Sequence, residues 1–268
     1  MACRKAHRAI NMTNEFITDV SEITKTDVPK TVERLLFGVD SGRQSNNLLQ
    51  NNIDQFEWVL RNKIYPNFYG RNISGENALT KEEIRFIHRK GCRIAAIYAD
   101  SAEKMTKDEG DVAAKRAIER ASELEIPADT AIFIEIAENE NASSDFILGF
   151  SRALISGGFT PGFKANTDAR FSFDREFSRA KQTDKDILNK CLVWATSPSL
   201  AEYDRVTTTH LIHPDNWIPH APSGITRKDI AIWQYGKNCH PIEDDQGRET
   251  TFNLNLVRNE QVIIDKMF

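Results

Sequence analysis

Cysteine is scarce in this sequence, and its four copies are scattered. Cys3, Cys92, Cys191 and Cys239 have neither C-x-x-C nor zinc-ribbon spacing, which removes structural zinc and thioredoxin-type redox motifs as readings. Cys92 and Cys191 each open an apolar run, so their thiols are expected as small buried hydrophobes rather than halves of a disulfide. Long hydrophobic stretches are missing: nothing approaches the ~20 apolar residues of a membrane span. An excess of basic charge is missing too. Lys and Arg number 35 against 39 Asp and Glu, with the two signs interspersed and a formal net charge of -4. No clustered basic face is present to release counterions from nucleic acid.

Motifs that cradle or ligate are absent as well. The turn after the first apolar run reads Gly38-Val39-Asp40-Ser41-Gly42, which is not the glycine pattern of a dinucleotide site. No P-loop, H-E-x-x-H or nucleophile elbow occurs, and no cofactor is expected. Among His210, His213, His220 and the Cys239-His240 pair, Pro214 and Pro219 break any helix that could align two ligands, so no metal is expected. The basic start Met1–Arg8 could open a signal peptide, but Asn11, Asn14, Glu15 and Asp19 interrupt the apolar core it needs. The expectation is a cytoplasmic protein, or one exported without a conventional signal.

What the chain does have is rhythm. Residues 1–33 are polar and read as an N-terminal extension. From there to residue 268 short apolar runs recur at Leu35–Val39, Ile64–Tyr69, Arg93–Tyr98, Ala131–Ile136, Phe159–Lys164, Leu192–Thr196, Leu211–His213 and Ile230–Tyr235. Helical patterns lie between most of them, over Leu48–Leu60, Leu79–His88, Asp111–Leu124 and Asp145–Ile155. Thr80 with Glu83 three residues on has the form of a capping box. A spacing of about 30 residues is that of a βα repeat, and continuous apolar strands between amphipathic helices argue for parallel pairing with both faces covered. The predicted fold is α/β, a (β/α)8 TIM-like barrel of parallel strands with outer helices in a single domain over 34–268; an open doubly wound sheet is second. Residues 238–250 read as a loop or hairpin before a last run, Phe252–Val257, that could be the closing strand or an added one.

In such a barrel the site is built at the C-terminal ends of the strands. There the sequence places Asp40, then Arg71, Tyr98 and Asp100, then Glu135 and Glu138, then Asn166 and Asp168, then Trp194 and Thr196, then Trp233, Gln234 and Tyr235. Carboxylates, amides, an arginine and aromatics converging on one mouth make the inventory of a sugar site: rings stack on pyranose faces, amides bind hydroxyls, and paired carboxylates divide acid and base roles. Plainer readings stand beside this one. Asp40 before Ser41-Gly42 could be a turn residue, and Trp194 and Trp233 could be core. Glu135, inside the apolar run Ala131–Ala137, is either paired, with Arg71 a candidate, or catalytic.

The order of these pieces resembles glycoside-hydrolase-like barrel domains of unknown function related to family 25 lysozymes. The carrying segments, between Phe37 and Val257, are Gly38-Val39-Asp40, Tyr69-Gly70-Arg71, Leu79-Thr80, Gly91, Ile97-Tyr98, Ala131–Glu135, Gly158-Phe159, Pro161-Gly162-Phe163, Ile232–Tyr235 and Asn253-Leu254-Asn255. The resemblance implies a barrel that acts on or binds glycan, a peptidoglycan-like polymer of the bacterial cell wall being the usual substrate of the relatives. It also implies an acidic pair ending the fourth strand, the second member being the proton donor. That register here reads Glu135-Ile136-Ala137, and Asn253 stands where the relatives have an aspartate. Asp40 matches its counterpart. Alanine cannot donate a proton, and Glu138 could take its place only if the strand end bulges by one residue. The expectation is a glycoside hydrolase using Asp40, Glu135 and Glu138, with Arg71, Tyr98, Asp100, Asn166, Trp194, Trp233, Gln234, Tyr235 and Asn253 as substrate ligands, or else a silent carbohydrate-binding or accessory domain of the same fold.

Overall fold

The first six strands form where short apolar runs are bounded by turn residues: β1 (Leu36–Ser41), β2 (Phe68–Asn72), β3 (Arg93–Tyr98), β4 (Ala131–Ile136), β5 (Thr160–Ala165) and β6 (Leu192–Ala195). The structure, a computed structural model, describes residues 35–49, 52–61, 63–99, 105–202, 217–243 and 249–268. The chain divides into two units, 1–32 and 33–268, and every described residue belongs to the second. The expected extension 1–33, the expected strand Leu211–His213, Asp100, His210 and His213 lie outside the described residues.

Strands β1 to β6 pair in sequence order, each parallel to the next. Three more follow: β7 (Ala201–Glu202), β8 (Ile230–Glu243) and β9 (Glu249–Val257). β8 pairs parallel to β6, and β9 pairs antiparallel to both β8 and β1, which closes an eight-stranded barrel. The final apolar run is thus the closing strand. It runs against the others because a connection of only five residues, 244–248, separates β8 from β9, too short for the crossover that a parallel neighbour requires. The expected 238–250 loop is shorter than the sequence suggests, since β8 extends to Glu243.

Helices cover the outside: α1 (Gln55–Arg61), α2 (Lys81–Arg89), α3 (Lys107–Glu123), α4 (Ser144–Ser156), α5 (Ser172–Thr183), α6 (Lys185–Leu188) and α7 (Glu260–Lys266). The helix expected from Leu48 starts only at Gln55. Leu48 bridges to Asp54, Asn52 turns at a φ of 59°, and Asp54 accepts from Glu57 N at 2.6 Å, an N-cap that fixes the helix start. α2 starts as expected, with Thr80 accepting from Glu83 N at 3.1 Å. The Glu83 carboxylate, however, turns inward to Arg71 instead of completing a capping box.

Strand alternation sorts the core into two parts. Val39, Tyr69, Ile94, Ile132 and Phe163 face outward into the helices. Phe68, Ile97, Phe133 and Trp194 face inward and fill the barrel, with both phenylalanines edge-on to the indole at 6.2 and 5.4 Å. Three inward positions are glycine because these rings need the room. A Cβ on Gly38 would lie 2.1 Å from the Phe68 ring, one on Gly162 2.4 Å from Phe133, and one on Gly70 2.8 Å from Trp194. Gly162→Val is therefore expected to destabilise the fold by about 1–3 kcal/mol, the usual cost of overpacking a filled core. Chemical denaturation reads this; a loss under about 0.5 kcal/mol, the scale of an ordinary surface substitution, would contradict the packing account.

Candidate functional site

Above the Phe68–Phe133–Trp194 layer the inward positions change character. Asp40 on β1, Glu135 on β4, Lys164 on β5, Gln234 on β8, and Asn253 and Asn255 on β9 all point into the mouth of the barrel. Lys164 is the hub. Its ammonium lies 2.8 Å from Asp40 Oδ2 and 3.1 Å from Glu135 Oε1, with the Trp194 ring centroid 5.0 Å away. Two oxygens held by one nitrogen at those distances are at most their sum, about 5.9 Å, apart. Burial by itself would lower the Lys164 pKa, but Asp40 and Glu135 outweigh it and the net shift is upward, so the group stays an ammonium.

Asp40 is 3% exposed and accepts on both oxygens. Asn255 Nδ2 donates to Oδ1 at 2.7 Å, while Asn253 Nδ2 and Lys164 Nζ each donate to Oδ2 at 2.8 Å. Trp194 Nε1 donates to Asn255 Oδ1 at 2.9 Å, and Asn238 N donates to Asn253 Oδ1 at 2.9 Å. Both amides therefore have fixed orientations, each with its NH2 toward the carboxylate. Asp40 is locked in place as an acceptor.

The open part of the mouth is a cleft of about 290 Å³ lined by Glu135, Ile136, Ala137, Glu138, Lys164, Thr196, Gln234, Lys237, Asn238 and Asn253. Glu135 is 39% exposed there. Glu138 stands at the rim, where Asn166 Nδ2 donates to it at 2.9 Å and Lys237 Nζ lies 3.6 Å away. The β4–β5 register runs unbroken from Ala131↔Thr160 to Ile136↔Ala165. No bulge shifts Glu138 into the position of Ala137; it belongs to the turn after the strand.

The structure thus brings Asp40, Glu135, Glu138, Asn166, Gln234 and Asn253 together around one mouth. It does not bring Arg71, Tyr98, Trp233 and Tyr235 there, and strand phase is the reason. With Gly70 inward, Arg71 faces outward, fully buried, and its guanidinium binds Glu83 at 2.8 Å rather than Glu135. With Ile97 inward, Tyr98 faces the helices. With Gln234 inward, Trp233 and Tyr235 do the same: the Trp233 indole donates to Pro198 O at 3.1 Å, and burial pushes the Tyr235 phenol pKa up. Trp194 does point inward, but it is wholly buried beneath Lys164. Among the described residues no aromatic ring lines the cleft. Asp168 lies off it, its carboxyl held down to about 2, chiefly by its hydrogen bonds to Arg170, with His220 3.3 Å away. Lys164 and Asn255 were not among the expected site residues. A lysine in the otherwise apolar Thr160–Ala165 run, and a second asparagine two residues from Asn253 on the same face, are the signals that mark them.

Among the described residues, no cluster of three or more His, Cys, Asp or Glu side chains could hold a metal ion. None of their helices is long and apolar enough to cross a membrane. Cys92 and Cys191 are free thiols, with burial raising Cys92 to about 11 and Cys191 to about 12.

Known structures are similar to this one to differing degrees. An uncharacterized protein of B. stearothermophilus superposes with a TM-score of 0.70 over 87% of this chain and 100% of its own, at 24% identity. A family 25 glycosyl hydrolase of Streptococcus pneumoniae gives 0.49 over 87% and 92%, at 15% identity. A family 25 lysozyme of Aspergillus fumigatus gives 0.49 over 87% and 99%, at 12% identity. No curated protein matches the sequence. The family described as "Rv2525c-like, glycoside hydrolase-like domain" matches residues 64–248. That match covers well over half of the chain, which therefore belongs to this family of glycoside hydrolase-like domains.

Proposed function

We propose that the protein binds a saccharide in the barrel mouth and does not cleave it. Ala137 carries the proposal: the strand-end position that would face a leaving oxygen has no proton to give. Glycoside hydrolysis by paired carboxylates needs one of them to be a protonated donor. Asp40 cannot serve, because both of its oxygens already accept hydrogen bonds and its burial leaves no path to a substrate. Glu135 reaches the cleft, but its Oε1 is bound to an ammonium that it shares with Asp40. What remains is a rigid polar surface of amides, a threonine hydroxyl and charged groups, the chemistry that binds hydroxyls.

A second reading, hydrolysis with Glu138 as acid, has one observation in its favour: Glu138 and Glu135 share the cleft. Calorimetry and turnover assays against one panel of oligosaccharides, peptidoglycan fragments included, separate the two. The expected result is saturable binding with no release of reducing ends. Turnover that disappears in Glu138→Gln would establish the hydrolytic reading, and the absence of binding across the panel would remove both.

A further inference from the structure

One acceptor of the cleft is buried without a partner among the described residues. Gln234 is 4% exposed, lines the cleft, and its Oε1 has no hydrogen-bond donor among the described residues. An acceptor left in that state has lost its hydration without compensation, a cost that a ligand donor would remove. Glu135, 39% exposed in the cleft and held through Oε1 by Lys164, presents a second acceptor in Oε2. Against three carboxylates (Asp40, Glu135, Glu138) stand two ammonium groups, Lys164 and Lys237, leaving one negative charge in excess among the described residues. The protein itself shows what this shell holds: the group seated between Asp40 and Glu135 is a primary ammonium.

We infer that the cleft selects saccharides bearing a free amino group, with Glu135 and Gln234 Oε1 accepting from the sugar ammonium. This rests on the saccharide-binding reading above and adds the ligand's charge class to it. An acidic saccharide would meet the excess negative charge. A neutral one would satisfy Gln234 through a hydroxyl and hydrogen-bond to Glu135, but would lack the Coulombic attraction between an ammonium and a carboxylate.

The test titrates the full chain by calorimetry, at low salt and mildly acid pH, with three probes of equal length: β-1,4-linked glucosamine oligomer, its fully N-acetylated counterpart, and an oligo-glucuronate. The glucosamine oligomer is expected to bind at least about ten-fold tighter than the acetylated one, the gap narrowing with salt as exposed charges are screened, and the glucuronate weakest. Glu135→Gln should reduce the ratio between the first two probes to less than about two-fold, because the ammonium then faces a neutral amide and the ion-pair attraction is lost. If Glu135→Gln fails to fold, Glu138→Gln removes one charge from the rim and should narrow the same ratio. Gln234→Leu should weaken the glucosamine oligomer about ten-fold, as expected for a lost hydrogen bond to a charged group. Equal or reversed affinities for the first two probes overturn the inference while saccharide binding stands. No binding by any probe or by the wider panel overturns the saccharide reading itself.

Discussion

Replacing Lys164 with methionine is expected to cost the fold about 3–5 kcal/mol, the range for breaking a buried ion pair by removing one partner. Methionine keeps most of the side-chain volume against Trp194, so packing changes little and the loss is electrostatic. Asp40 would stay buried with only the amides of Asn253 and Asn255 to hold it. Both amides are themselves fixed by Asn238 N and Trp194 Nε1, so neither can turn to compensate. Urea denaturation at neutral pH reads the loss directly, and a change under about 1 kcal/mol, typical of an exposed pair, would sink the account of Lys164 as the cation that makes Asp40 tolerable.

The double variant Asp40→Asn with Lys164→Met should recover at least half of that loss, since a neutral amide is far cheaper to bury than an unpaired carboxylate. A recovery of that size also separates charge from cavity effects. The pH dependence follows from the upward shift of Lys164. A lysine whose pKa is raised on folding contributes stability that is fully present below its ordinary value near ~10.4 and is lost only as pH climbs through the folded value. The difference between wild type and Lys164→Met should therefore not shrink between pH 7 and 9.

Asp40 and Glu135 were legible because each interrupts or ends a short apolar run, and in a barrel that position faces the mouth. Lys164 obeys the same rule, yet its meaning depends on the register Glu135↔Lys164 between β4 and β5, a long-range pairing that no local pattern encodes. Arg71, Tyr98, Trp233 and Tyr235 are also at strand ends. Their residue types suit sugar binding, but the phase of alternation sends them outward, and that phase was readable: Gly70 and Ile97 precede the first two, and Gln234 lies between the others. Closure by an antiparallel β9 was less accessible. Eight apolar runs of similar length suggest eight equivalent parallel strands, whereas what decides direction is the five-residue connection between β8 and β9. The inward glycines explain how a narrow barrel admits Phe68, Phe133 and Trp194 together, a matter of volume across strands rather than of periodicity along one.

Arg71→Met is the second substitution expected to be costly, again by about 3–5 kcal/mol, because it strands a wholly buried carboxylate. The guanidinium donates through Nε to Glu83 Oε1 at 2.8 Å and through Nη2 to Glu83 Oε2 at 3.3 Å. It also reaches Asn77 O at 2.7 Å and Ser41 O. One side chain thus ties the end of β1, the turn after β2 and the first turn of α2. Lysine, a point charge without the planar fork, cannot span these four acceptors, so Arg71→Lys should recover less than half of the loss. Removing both charges with Arg71→Met and Glu83→Leu should recover more than Arg71→Lys does, as apolar replacements of buried pairs often do, although Ser45 N, now 2.6 Å from Glu83 Oε1, would lose its acceptor. The decisive readout pairs stability with binding. Because Arg71 lies behind the sheet wall, the folded Arg71→Met protein should bind the saccharide proposed above within about two-fold of wild-type affinity, well inside the ~1.4 kcal/mol that separates ten-fold changes. A large loss of affinity in a protein that still melts cooperatively would move Arg71 into the binding site and reverse the assignment made from strand phase.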